Sequence, residues 1–269
     1  MKQSPPAGRD EVQLLARLPP LQEDPDFGTS RGQKEYATVL EAEGVRDAVW
    51  MYEPAVISTV QALHDEIGLR VHPMVPNMRA YLRDASEHGV VGAALLRYRR
   101  LVLADKLRIA THHLSRAFKA ARRDFATGVL IMADMELVHF RRYGASTAFL
   151  NASVTDLVLA MDDPQLIREF LWLSERTYGL EGGLATYNLG VLAERLQAWK
   201  IRPAVIAAPF NARGYLMNPS IEECERALAL LQVPVLATHI EVDGLVQRQE
   251  AIDYLRDHGI WRAVARVEA

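Results

Sequence analysis

The sequence predicts an α/β protein whose parallel strands close into an eight-unit barrel, and three observations predict it. Apolar runs of strand length recur along the chain, nearly all separated by helical patterns. The runs are continuous rather than alternating, the mark of strands covered on both faces and hence of a parallel sheet. Their number is eight, the count of a (β/α)8 TIM-barrel-like fold, here with atypical first and last units. A doubly wound open sheet is the runner-up. It would normally carry a glycine-rich turn after its first strand, and "MYEPAV" around the end of residues 47–52 is not one.

Residues 1–35, with "QSPPAGRD" and "LPPLQEDPDFGTSRG", break every helical or strand period and read as a Pro-rich tail. A single domain then spans 36–269. "GQKEYATVLEAEG" is a helix ended by Gly44, and "DAVWMY" (47–52) a buried strand. "PAVISTVQALHDEIG" (54–68) has proline near its start and glycine at its end, the expected helical asymmetry. "LRVHPM" (69–74) is a strand, and "NMRAYLRDASEHG" (77–89) a helix stopped by Gly89. An arginine-rich helical region covers about 93–126. Strands follow at 128–134, 146–151, 183–188, 203–209, 233–240 and 262–267, with helices within 153–178 and at 189–200, 220–231 and 246–259.

Composition excludes several functions. The 269 residues carry a net charge of −3, so no global field draws nucleic acid or an anionic membrane. Arg116, Lys119, Arg122 and Arg123 fall at helical spacing and read as a solvated helix face. No apolar run approaches a membrane span and no secretory leader is visible. One cysteine, Cys224 in a helical pattern, permits no intrachain disulfide. A cytoplasmic protein acting on a small molecule is the expectation, with a homo-oligomer or protein partner left open. None of the five lysines stands at a strand end, which argues against Schiff-base chemistry. The last strand runs into "ARVEA" without glycine or a following helix, which disfavours a phosphate site in the usual place.

Chemistry in a barrel belongs at the C-terminal strand ends. The expected ends carry His72, then Asp134 and Glu136, Asn151, Asn188, Asn211 with Arg213, and His239 with Glu241. Asp134 and Glu136 are two apart, as are His239 and Glu241, so in extended backbone each pair points to one side. Four such groups at one mouth suit either general acid–base catalysis or a divalent metal held by mixed imidazole and carboxylate ligands. Salt bridges to nearby arginines are the bland alternative. His72, Asn151, Asn188, Asn211 and Arg213 are the candidate substrate-binding residues. Ser220 with Glu223 fits a capping box that opens "IEECERALALL", and Pro219 enforces an extended entry. A lyase, isomerase or hydrolase reaction on a small polar metabolite suits these groups.

The segments "IMADMELVHF", "AFLNASVTDLVLAM", "GLATYNLGVLAERL", "PFNARGYLMNPSIEECE" and "QEAIDYLRDHGI" resemble a group of microbial TIM-barrel proteins distantly similar to aldo/keto reductases. The resemblance covers roughly half the chain and implies the barrel. It implies NADPH as a cofactor only through the reductases, which use Asp, Tyr, Lys and His together. The Lys of that set has no counterpart at a strand end here, and the glycine-containing loops that open and close such barrels are missing. The expectations are therefore three: an acid–base or metal-dependent enzyme, a divergent NADPH reductase, or a barrel without catalysis that serves as a partner subunit.

Overall fold

The computed structural model describes residues 11–113 and 125–267. Eight parallel strands close in chain order: β1 (Gln13–Arg17), β2 (Asp47–Trp50), β3 (Arg70–Val75), β4 (Thr147–Leu150), β5 (Glu181–Ala185), β6 (Val205–Pro209), β7 (Val235–Thr238) and β8 (Arg262–Arg266). The ring is sealed by β8 pairing with β1, in register from Gln13 with Arg262 to Arg17 with Arg266. Around it lie α1 (Ser30–Ala42), α2 (Ile57–Ile67), α3 (Met78–Arg100), α4 (Leu103–His113), α5 (Phe125–Phe140), α6 (Ala152–Met161), α7 (Gln165–Trp172), α8 (Leu189–Trp199), α9 (Ile221–Leu230) and α10 (Arg248–Asp257). The basic positions 116, 119, 122 and 123 lie outside the described residues. Among the described residues no helix is long and apolar enough to cross a membrane.

The barrel has the expected eight strands, but one of them is not where the sequence pattern put it. The run at 128–134 is not a strand; it lies inside α5. That helix is apolar on nearly every face because nearly every face is covered, with Leu130, Ala133, Leu137 and Phe140 all essentially inaccessible. A short apolar run cannot be told from a buried helix by periodicity; the uninterrupted pattern continuing through Phe140 is what fits a helix. The missing strand is "QLLAR" at 13–17, inside the expected tail. Its prolines, Pro19 and Pro20, come just after β1, where they stop pairing without breaking the ladder.

Alternation along the strands splits the barrel interior into layers. Leu15, Val49, Phe149, Ala207, Leu236 and Val264 form an apolar plug in the middle. Below it, towards the N-terminal strand ends, is a polar floor. There Asp47 accepts from His72 Nε2 at 3.0 Å and from Arg70 at 2.6 Å. Burial raises the Asp47 carboxyl, but hydrogen bonds from His72 and Arg70 outweigh it and hold the group below its usual range. Gly183 belongs to this packing. A Cβ there would stand 2.8 Å from the Phe149 ring, so the plug closes only over glycine.

Helix starts follow local chemistry. Asn77, Asn151 and Ser220 each accept from a backbone N–H of the first turn, of α3, α6 and α9 respectively. Ser220 accepts from Glu223 N at 3.2 Å, one half of the expected capping box. Gly89 interrupts α3 with φ 71° and ψ 163°, the stop expected there, although helical geometry resumes beyond it to Arg100.

Candidate functional site

A cavity of about 1140 Å³ opens at the C-terminal strand ends, above the apolar plug. Met51, Met74, Ala185 and Leu236 form part of its base. Asn77, Asn151 and Ser153 stand on the β3–β4 side, and Tyr187, Tyr215 and His239 on the β5–β7 side. Arg266 and Arg17 end β8 and β1, with Glu23, Arg79, Glu241 and Arg248 near them.

His239 and Glu241 are at this mouth, as expected, but not as an extended pair. Strand β7 ends at Thr238, and His239 takes φ 54°, in the left-handed region. That is a conformation a non-glycine residue keeps only when its surroundings enforce it, and such residues cluster at functional sites. His239 Nδ1 lies 3.1 Å from Thr238 Oγ1. Its ring centroid is 6.0 Å from that of Tyr187 and 6.3 Å from that of Tyr215. Glu241 is committed to structure. It accepts from Arg248 Nε at 2.7 Å and from Arg266 N at 3.2 Å, tying the loop after β7 to the end of β8.

Asp134 and Glu136 do not reach the mouth. Both ride on α5, outside the barrel wall, and helical geometry sends positions two apart to nearly opposite faces. Asp134 accepts from His112 Nδ1 and His113 Nε2, each at 3.0 Å, and from the Tyr178 hydroxyl. Burial alone would raise its carboxyl; the His113, Tyr178 and His112 hydrogen bonds bring it below its usual range. Glu136 accepts from Arg97 Nη1 at 2.9 Å and from the Asn77 backbone N–H at 2.8 Å. Burial pushes its carboxyl up to about 7 against those two donors. Glu136 thus braces the β3–α3 loop from behind without touching the cavity. The four expected acid–base or metal residues therefore do not converge. Among the described residues no three His, Cys, Asp or Glu side chains gather as a metal-holding group.

The binding residues divide in the same way. Asn151 lines the mouth; its Oδ1 caps α6, and its Nδ2 faces only the Met51 sulfur at 3.6 Å. His72 lies on the floor, below the plug. Asn188 turns away and donates to Asp156, which also accepts from Thr186 and from Tyr187 N. Burial raises the Asp156 carboxyl despite these three donors. Asn211 is buried and wholly engaged. Its Oδ1 accepts from Arg213 N and Tyr215 N, and its Nδ2 donates to Tyr215 O. It shapes the loop that carries Tyr215 to the mouth. Arg213 is exposed and outside the cavity lining. Asn218 latches this loop to the neighbouring one by donating to Tyr187 O at 3.1 Å.

Arg17, Arg266 and Tyr215 are mouth residues that the sequence reading did not select. Arg17 was hidden with its strand, and Arg266 closes a strand whose end showed no loop chemistry. Of the described lysines, Lys34 is in α1, Lys106 in α4 and Lys200 caps α8 at its C-terminus. None lines the cavity.

A closed ring of eight parallel strands with helices outside and a cavity at the C-terminal ends defines the chain as a (β/α)8 barrel protein. No family model matches it, and no curated protein matches its sequence. It is similar to the crystal structure of Gox0644 in its apo form, with a TM-score of 0.51 and 10% identity over 95% of this chain and 78% of that one. At that identity the likeness extends to the barrel fold and no further.

Proposed function

We propose that the protein is an enzyme that moves a proton on a small polar metabolite held at the barrel mouth. The observation that carries this is His239, the one imidazole among the described cavity-lining residues, set on strained backbone at the C-terminal end of β7. An imidazole titrates near neutral pH and serves as general acid or base. Arg17 and Arg266 offer charge-assisted hydrogen bonds to an acidic substrate group. Asn151 Nδ2, which meets only a sulfur acceptor, has donor capacity for a substrate oxygen. Lyase and isomerase reactions, which turn on removing and returning a proton, suit this set best.

The test is to incubate the protein with the small-molecule fraction of a cell extract and follow each metabolite by mass spectrometry. Reactions run with and without magnesium, manganese and NADPH, for the wild type and His239→Gln. The expected result is a metabolite consumed by the wild type and left intact by the variant without added NADPH. Consumption only with NADPH would move the assignment to a reductase. No consumption under any condition would overturn the reading and leave a barrel that binds without catalysis.

A further inference from the structure

Five consecutive positions round the rim form one arc. The loops after β5 and β6 bring Tyr187 and Tyr215, the end of β7 brings His239, and β8 and β1 finish in Arg266 and Arg17. The order is two phenol rings, an imidazole, and two guanidinium groups, so the arc has an aromatic pole and a cationic pole with the proton-transfer group between them.

The aromatic pole is built but not filled. Tyr187 and Tyr215 remain 36% and 41% exposed although both border a cavity. Neither is there by accident of loop sprawl. Asp156 fixes the Tyr187 backbone N–H at 3.1 Å, and the buried Asn211 holds Tyr215 through both its N–H and its carbonyl. A ring carried on a fixed backbone beside a concave wall is apolar area available for another flat or apolar group.

The cationic pole is equally fixed. Arg17 and Arg266 are Cα partners across the β1–β8 seam, so the two side chains leave the barrel wall together. Glu23 is shared between Arg17 at 2.5 Å and Arg79 at 3.7 Å. Arg248 lies between Glu43 at 2.8 Å and Glu241 at 2.7 Å. Arg83, also on the lining, has Asp84 at 3.9 Å. Two guanidinium groups side by side present planar donor forks that match the two oxygens of a carboxylate.

We propose that the ligand of this mouth is an aryl carboxylate: a planar ring seated against Tyr187 and Tyr215, a carboxylate at Arg266 and Arg17, and the linking atoms beside His239. This rests on the reading of the mouth as the active site and names its substrate class. An aliphatic acid would leave the tyrosine wall wet. A neutral aryl compound would forgo charge-assisted hydrogen bonds from the two guanidinium groups.

The experiment is calorimetric titration of the full chain with four probes: phenylacetate, acetate, 2-phenylethanol and phenyl phosphate. Phenylacetate is expected to bind about tenfold more tightly than acetate, which lacks the ring, and than 2-phenylethanol, which lacks the charge. Tyr215→Ala should abolish the first difference and Arg17→Met the second. Arg266→Met replaces Arg17→Met if the latter fails to fold by circular dichroism. Equal affinity for phenylacetate and acetate, or no binding of phenylacetate at millimolar concentration, overturns the proposal. Tighter binding of phenyl phosphate overturns the carboxylate assignment. The outcomes separate from those of the metabolite assay. A His239-dependent aliphatic substrate would sink the aryl class and leave the enzyme intact, whereas phenylacetate binding without turnover of any metabolite would do the reverse.

Discussion

Glu136 offers the sharpest check on how this fold is held together. Its carboxyl is 2% exposed on α5, with Arg97 at 2.9 Å and the Asn77 N–H at 2.8 Å as its partners. Burial pushes it up to about 7 from an ordinary value of 4.5, because desolvation of the charge exceeds what the Arg97 guanidinium and the Asn77 N–H return. A carboxyl whose pKa is higher folded than unfolded favours the fold while both states are protonated, below pH 4.5. That contribution is lost as pH rises through 7. Each pH unit in that window costs about 1.4 kcal/mol, so the loss is about 3 kcal/mol by pH 8. Glu136→Gln keeps the shape and the acceptor for Asn77 N–H but does not titrate. Urea unfolding followed by tryptophan fluorescence should therefore find the variant and the wild type within about 1 kcal/mol at pH 5. At pH 8 the comparison should have shifted by about 3 kcal/mol in the variant's favour. Arg97→Met gives the complementary result, a further loss of about 1–3 kcal/mol at pH 8, because without the guanidinium the buried carboxyl must take up a proton to stay in the fold. Parallel stability curves for the wild type and Glu136→Gln from pH 5 to 8 would refute the argument and show that the pair keeps the carboxylate ionised throughout.

Three further outcomes follow from packing and local hydrogen bonds. Gly183→Ala should cost about 1–3 kcal/mol in urea midpoint analysis, since its methyl would press on the Phe149 ring at 2.8 Å inside a filled plug. Asn211→Ala should cost about 2 kcal/mol, because it strips the buried acceptor from two backbone N–H groups. It should also make the loop at 211–219 the first site cut in limited proteolysis. Ser220→Ala should lower stability by about 1 kcal/mol through loss of the α9 cap, and Ser220→Asp should restore most of it, both read from thermal unfolding.

The barrel was legible because continuous apolar runs and short helical connections are global properties that survive local misreading. Exchanging one strand for another, 13–17 for 128–134, left the count at eight and the fold class intact. The error mattered more for the site. Reading α5 as a strand placed Asp134 and Glu136 at a mouth they never approach, and reading β1 as tail hid Arg17. His239 survived because its strand was placed correctly to within a residue or two. Its left-handed backbone, which spoils the pairing with Glu241, has no signature in residue type.

The asparagines show why the remainder of the site was half legible. Asn77 and Asn151 each accept from a first-turn N–H, Asn188 serves Asp156, and Asn211 closes its own loop. A βα connection must satisfy exposed backbone donors at the start of each helix, and asparagine is among the best residues for that task. An amide at a strand end therefore has a structural claim on its oxygen before any ligand arrives. What remains for recognition is its donor nitrogen, and only Asn151 combines a cavity position with an Nδ2 that meets no oxygen. Arginine at a strand end carries no such prior duty to the helix that follows. That is the physical reason to weigh Arg17 and Arg266 above the amides, and to expect Arg17→Met to alter anion binding where Asn188→Ala does not.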